Sequence, residues 1–377
     1  MDKQRHRRVL PLRHGAHPSG DQEVPARAPS VGFPVVTPSR RGAPAPSPDR
    51  DWEGVRLHVV TGKGGTGKTT VAAALALALA AGGGRTLIVE LEGRQGLAQL
   101  FDCPPLPYEE RQVAVAPGGG DVHALAVDAE EALLEYLEMF YRMRRAGRSL
   151  ERIGAVDFAT TIAPGLRDVL LTGKVYEAAN RTKGTPARPV YDAVIMDAPP
   201  TGRITRFLNV NTEVAGLARV GPVRNHADSI MRLLRSPQTA VHVVSVLEEM
   251  PVQETADAVA ELRGARLPLG GIVVNMVRPP RLSTRELSAA AKGGLDREVV
   301  TAGLTAAGMG TATMDATVDT LLAEAADHAE RVALEKRQRT ELTALDRPTY
   351  TLPLLPDGID LGGLYRLAEA LRKQGAA

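Results

Sequence analysis

The run "VRLHVVTGKGGTGKTTVAAALALALAA", residues 55–81, constrains this chain more than any other stretch. "VRLHVV" (55–60) reads as a buried strand, and "VAAALALALAA" (71–81) is built from strong helix formers. Glycines at 62, 64, 65 and 67 join the two. Such a turn aims backbone N–H groups at one spot that no Cβ obstructs, at the positive end of the helix dipole. Gly62, Gly67, Lys68 and Thr69 fit G-x-x-x-x-G-K-[ST], the spacing of a phosphate-cradling loop. Lys68 is then expected at the β/γ-phosphates of ATP and the Thr69 hydroxyl in the shell of Mg2+. Gly64, Gly65, Thr66 and Thr70 complete the cradle.

Apolar, β-branched-rich runs recur at 86–91 (TLIVEL), 122–127 (VHALAV), 191–197 (YDAVIMD), 240–247 (AVHVVSVL), 270–275 (GGIVVN) and 349–355 (TYTLPLL). Helix-like stretches separate most of them. This pattern predicts an α/β fold, a doubly wound, mostly parallel sheet, with ligands beyond the carboxyl ends of the strands. Two connections, about 129–185 and 203–238, are too long for simple crossovers and read as helical subdomain insertions. No internal repeat is found, which excludes a tandem duplication.

At 377 residues the chain can bury a full core. The longest uninterrupted apolar stretch near the loop is Val71 to Ala81, too short to cross a membrane. The single cysteine, Cys103, excludes an internal disulfide and a multi-cysteine metal site, and points to a reducing, cytoplasmic setting. Charge is uneven. Residues 1–50 hold nine Lys/Arg against four acids, and nine of the 27 prolines, so they carry +5 where the whole chain carries +2. Residues 1–52 read as a disordered Pro/Arg-rich arm before a domain at 53–377, with no apolar stretch of the kind a secretory signal requires. A solvated tail and an arm touching nucleic acid or anionic lipid both suit it. No specific nucleic-acid binding is expected.

Asp197 ends an apolar run and opens "DAPPTGR". A carboxylate at a strand tip can hold Mg2+ through water, and aspartate is also an ordinary turn residue. The loop at 62–70 favours the metal role. A second lysine, Lys63, stands at the beginning of that loop, where Lys68 can already reach the phosphates.

Together these residues carry a resemblance. "GKGGTGKTT" with its early lysine resembles the deviant Walker A loop of dimerising P-loop NTPases. "DAPPTGRITRFL" is similar to the second switch of one branch, the arsenite-pump and tail-anchored-protein-targeting ATPases, where the run reads D-T-A-P-T-G-H-T-L-R. "APGLRDVLLTGKVYE" (163–177) is similar to the P-G-x-x-E helix of that branch. "SPQTAVHVVSVLEEMPVQETADAV" (236–259) with "IVVN" (272–275) resembles its D-P-x-x-T-x-F…E…E-T stretch and adenine-reading asparagine. The likeness runs in order from about residue 55 to 372.

The resemblance implies a cytoplasmic dimer in which Lys63 reaches the partner's phosphates. A cation supplied across an interface accelerates phosphoryl transfer by about 10³–10⁵. It also implies that Asn275 bonds adenine and that Glu248 contacts nucleotide or partner, where a strand-end cap and a solvated acid are the plainer readings. Pro353 and Leu354, in "LPLLPDGIDLGGL", open the loop that closes over the base. A paralogous pair, as is frequent among actinobacterial relatives, makes a homodimer and a heterodimer equally open.

The chain departs from the family pattern in three places. The first switch, usually D-P-A-H-x-L-x-D, is here "EGRQGLAQLF", so Glu92 stands where the water-polarising aspartate is expected. A displacement near 1 Å can cost about 10²-fold in rate. Residues 276–348 contain no cysteine, which excludes a zinc-stapled dimer, and one cysteine cannot form the arsenite site of the pump. In "LLEYLEMFYRM" (133–143), aromatics and methionines suit a hydrophobic helix client, or packing against core or partner. Three functions follow: a client-binding dimeric ATPase, a non-hydrolysing subunit beside an active paralogue, and a partition-type positioning ATPase.

Overall fold

Eight strands form one sheet, and the strand that precedes the glycine loop lies inside it. The computed structural model describes residues 51–91, 93, 95–141, 164–184, 186–217 and 222–377. The arm up to residue 50, Glu92, and the stretches 142–163 and 218–221 of the two insertions lie outside them.

Along the chain, β1 (Leu57–Gly62) leads into α1 (Lys68–Ala80), and β2 (Arg85–Glu90) into the short α2 (Gly96–Leu100). β3 (Arg111–Ala116) and β4 (Gly120–Ala126) form a hairpin. α3 (Ala129–Tyr141) and α4 (Pro164–Asn180) precede a two-residue ladder, β5 (Thr182–Lys183) with β6 (Arg188–Pro189). Then come β7 (Ala193–Asp197), α5 (Thr201–Leu217), α6 (Pro222–Leu234), β8 (Thr239–Ser245), α7 (Glu249–Gly264) and β9 (Leu269–Val277). α8 (Thr284–Ala290), α9 (Arg297–Ala306) and the 30-residue α10 (Met314–Thr343) separate β9 from β10 (Thr349–Pro353), and α11 (Leu361–Lys373) ends the fold.

The order across the sheet is β10-β9-β8-β1-β7-β2-β4-β3, parallel throughout except for β3. All seven strands read from the sequence are present. β3 escaped that reading because "RQVAVA" is a half-exposed edge strand whose apolar run is only four small residues long. The helical excursion α8–α10 was also not foreseen, because its helices bury few residues and carry little apolar pattern. Asp51 and Trp52, counted with the arm, are tied to the domain. The Asp51 amide donates to the Gly375 carbonyl, Tyr350 donates to its carboxylate, and the Trp52 ring packs edge-on against His242.

Both sheet faces are covered, so the central strands are apolar at successive positions rather than alternating. Leu57, Val59, Leu87, Val89, Val194 and Met196 face the cluster that includes α4 to α7. Val60, Ile88, Ala193 and Ile195 face α1 and α11. Every residue from Val71 to Ala78 is buried, as expected of a helix that is apolar all round. Its alanines let the backbone approach the sheet closely, and each buried leucine contributes about 1.5–3 kcal/mol.

One polar pair sits inside this core. His58 on β1 and His242 on β8 stack with ring centroids 5.3 Å apart, and His58 Nδ1 lies 3.0 Å from His242 Nε2. The Gly271 amide donates to His242 Nδ1, which makes Nε2 the protonated nitrogen and the donor to His58. Burial pushes the His58 imidazole down to about 4, opposed by a hydrogen bond to the Val55 backbone, and holds His242 well below the ordinary range.

Both rings are therefore neutral when folded and take up protons below pH 6.5 when unfolded, so stability is present above 6.5 and lost as pH falls toward 4. For His58 the full effect is about 3 kcal/mol. Urea midpoints should fall between pH 6.5 and 5, above the range where most carboxylates titrate. A flat midpoint across that window would contradict the assignment.

Candidate functional site

The loop 62–67 leaves β1 where the strand order reverses, with β7 on one side and β8 on the other. Gly62 lies against β8 so closely that a Cβ there would come within 2.2 Å of the Val244 carbonyl oxygen. Thr66 closes the loop on itself, its hydroxyl donating to the Lys63 carbonyl at 2.8 Å. Gly67, with φ +82°, caps α1, and its carbonyl accepts from Val71. Gly64 and Gly65 are exposed and face open space. Lys68, Thr69 and Thr70 form the first turn of α1.

Two long-range bonds set the loop's neighbours. Thr69 Oγ1 donates to Asp197 Oδ2 at 2.7 Å, joining α1 to the tip of β7. Asn275 Nδ2, 4 % exposed, donates to the Thr66 carbonyl at 2.9 Å. The Asn275 amide nitrogen thus holds the loop itself, which leaves the amide oxygen as the atom able to accept from an adenine amino group.

The run after Asp197 is fastened to β1. The Ala198 amide donates to the Val60 carbonyl and the Thr61 hydroxyl to the Pro199 carbonyl, at 3.0 and 2.7 Å. Thr201 then starts α5, and its hydroxyl donates to Glu254 Oε2 at 3.4 Å. Glu254 Oε1 pairs with Lys63 Nζ at 2.7 Å, so one carboxylate of α7 meets both the loop lysine and the run after Asp197.

Beyond Asn275, the Leu354 amide donates to the Val277 carbonyl at 2.9 Å, and Pro353 pairs in register with Val277. Pro353 and Leu354 therefore stand beside the end of the strand that carries Asn275. Glu248 is exposed at the start of α7, with no side-chain capping bond.

Two acids escaped the sequence reading. Glu254 lies inside the quoted "EEMPVQET", where Glu248 alone was given a role. Glu90 ends β2 as Asp197 ends β7, is 3 % exposed, and accepts from the Gly96 and Leu97 amides at 3.0 and 3.4 Å. An acid set inside the apolar run TLIVEL was the available signal for Glu90.

The family model for anion-transporting ATPases matches residues 55–237. The chain is 53% identical over 341 residues to the ATPase BagA of Mycobacterium tuberculosis, covering 90% of this chain and 99% of that protein. The chain belongs to the anion-transporting ATPase family. It is also similar to the arsenical pump-driving ATPase of Acidiphilium multivorum, 25% identical over 328 residues, which are 81% of this chain and 52% of the other.

For an anion-transporting ATPase, the hard oxygen donors Thr69 and Asp197 at a helix N-terminus fit Mg2+, and the open glycine backbone of 64–65 fits phosphate. Among the described residues, no helix is long and apolar enough to cross a membrane.

A Cβ at Gly67 would fall 2.4 Å from Asn275 Nδ2, and the residue's φ of +82° disfavours any side chain. Gly67→Ala should weaken binding of a fluorescent ATP analogue about 100-fold or more, while the circular dichroism spectrum stays that of the wild type. Unchanged affinity would show that the Gly67–Asn275 contact is not part of the nucleotide site.

Proposed function

We propose that the chain is an ATP- and magnesium-dependent dimeric ATPase of the cytoplasm, whose nucleotide state controls binding of a hydrophobic helical client or partner. The observation that carries this reading is the 2.7 Å bond from Thr69 to Asp197 at the mouth of the glycine loop. Magnesium bound there would neutralise charge on the phosphates. Lys68 stands at the start of α1 to meet the same charge, and Asn275 selects the base. Glu92 is assigned the attacking water by resemblance alone.

Lys63 is paired within its own chain to Glu254, with both side chains about a third exposed, at 32% and 34%. Exposed pairs of this kind are worth about 0–1 kcal/mol, so the lysine is held weakly and can be released. Its release toward a second subunit would couple hydrolysis to dimer closure, and Thr201 on the same glutamate links that release to the run after Asp197.

The client side rests on the insertions. In α3, Ala132 and Leu133 pack into the core, and Glu135 accepts from Tyr108 and pairs with Lys174. The aromatic and methionine side chains at 136–143 lie outside the described residues. Glu92-Gly93 in place of the family's Asp-Pro favours a second reading, a weakly hydrolysing subunit that works beside an active paralogue.

Lys63→Ala should bind an ATP analogue within about 3-fold of wild type but lose hydrolysis that rises with protein concentration, measured by phosphate release. Normal turnover at every concentration would remove the trans-lysine role. Glu254→Gln should shift dimerisation, followed by sedimentation with a non-hydrolysable ATP analogue, to lower protein concentration. A shift to higher concentration would mean that Glu254 supports the closed dimer instead.

A further inference from the structure

The end of β2 carries a carboxylate that the proposed chemistry has not used. Glu90 is 3 % exposed, and among the described residues it forms no ion pair; its visible partners are the two amides that open α2. Burying a carboxylate on so little compensation is costly unless a cation joins it.

Position says which cation. β2 and β7 are parallel neighbours, and Glu90 is in register with Asp197. Their backbones are therefore about 5 Å apart. Two residues earlier on each strand, Ile88 and Ile195 both belong to the cluster around α1. Side chains two residues apart share a sheet face, so Glu90 and Asp197 both face α1. Gly96 supplies the closest view. A Cβ there would lie 3.4 Å from Thr69 Cγ2, 3.9 Å from Glu90 Oε1 and 4.0 Å from Thr69 Oγ1. The Glu90 carboxylate and the Thr69 hydroxyl thus both lie within 4.0 Å of one point.

We propose that Glu90 is a positioning residue of the nucleotide site, a carboxylate shared between the Gly96–Leu97 amides and the magnesium shell beside Thr69 and Asp197. This rests on the magnesium-nucleotide reading given above. Glu90 has two roles that compete for one charge. Without the cation, its oxygens hold the first turn of α2. With magnesium held by Thr69 and Asp197, the same oxygens would be drawn toward its shell, and the hold on α2 would change. Arrival of the metal is thereby felt by the first turn of α2.

The test uses the full chain with saturating ADP. Mn2+ uptake, followed by electron paramagnetic resonance, should be about 10-fold weaker in Glu90→Gln than in wild type, the loss usual for a residue one shell out from a metal. Glu90→Asp, which keeps the charge, should recover part of it. Affinity for ADP without metal should stay within about 2-fold. Hydrogen exchange at Gly96 and Leu97 should be faster in Glu90→Gln, and in wild type it should change when Mg2+ is added to the ADP complex. This last measurement needs no variant. Faster exchange in Glu90→Gln with wild-type Mn2+ affinity would reduce Glu90 to a helix cap and overturn the proposal, as would exchange in wild type that ignores Mg2+. No Mn2+ uptake by the wild type would overturn the nucleotide-site reading itself, and this proposal with it.

Discussion

A single hydrogen bond, Thr69 Oγ1 to Asp197 Oδ2, joins two parts of the chain that are 128 residues apart. It forms only if β7 lies directly beside β1 with its tip level with the loop, and the register of Val60 with Asp197 provides this. Ala198 and Thr61 then fasten the following run to β1. On the other side, β8 approaches so closely that only glycine fits at position 62. The loop is therefore shaped by its neighbours as much as by its own glycines. Both neighbours are placed by sheet order, which in turn depends on helices covering both faces.

Charges around the loop are arranged in layers of different accessibility. Glu90 and Asp197 are buried at adjacent strand tips, where the local dielectric is low and each charge matters strongly. Lys63 and Glu254 are a third exposed, where water screens the pair. Buried groups suit a fixed site for a cation, and the screened pair suits an element that has to move. Thr201 touches the outer layer and follows Asp197 of the inner one by four residues, so the two layers are mechanically connected through one short turn.

Much of the frame was legible in the sequence. Seven strands were visible because parallel strands covered on both faces are written as continuous apolar runs. The glycine loop was visible because close backbone approach to an anion demands residues without a Cβ. β3 was not, since an edge strand with one exposed face needs no such run. α8 to α10 were not, because they lie largely at the surface, and α9 has no buried residue. The insertion at 129–185 was legible as helical, and α3 and α4 are its described helices.

In the site, Lys68, Thr69, Asp197 and Asn275 could be named from spacing and resemblance, because local chemistry dictates residue type at each position. What each side chain touches was a different matter. Asn275 holds the Thr66 carbonyl, Lys63 rests on Glu254, and Glu90 grips the first turn of α2. The partners in the first two contacts are separated by more than 190 positions, and the third depends on how a loop folds back on its own strand. Sequence alone determined that a glycine-rich loop stands between a buried strand and a buried helix, because that follows from residues adjacent in the chain. Only the tertiary structure decided which carboxylates surround it, because burial and pairing arise when strands distant in the chain become neighbours in the sheet.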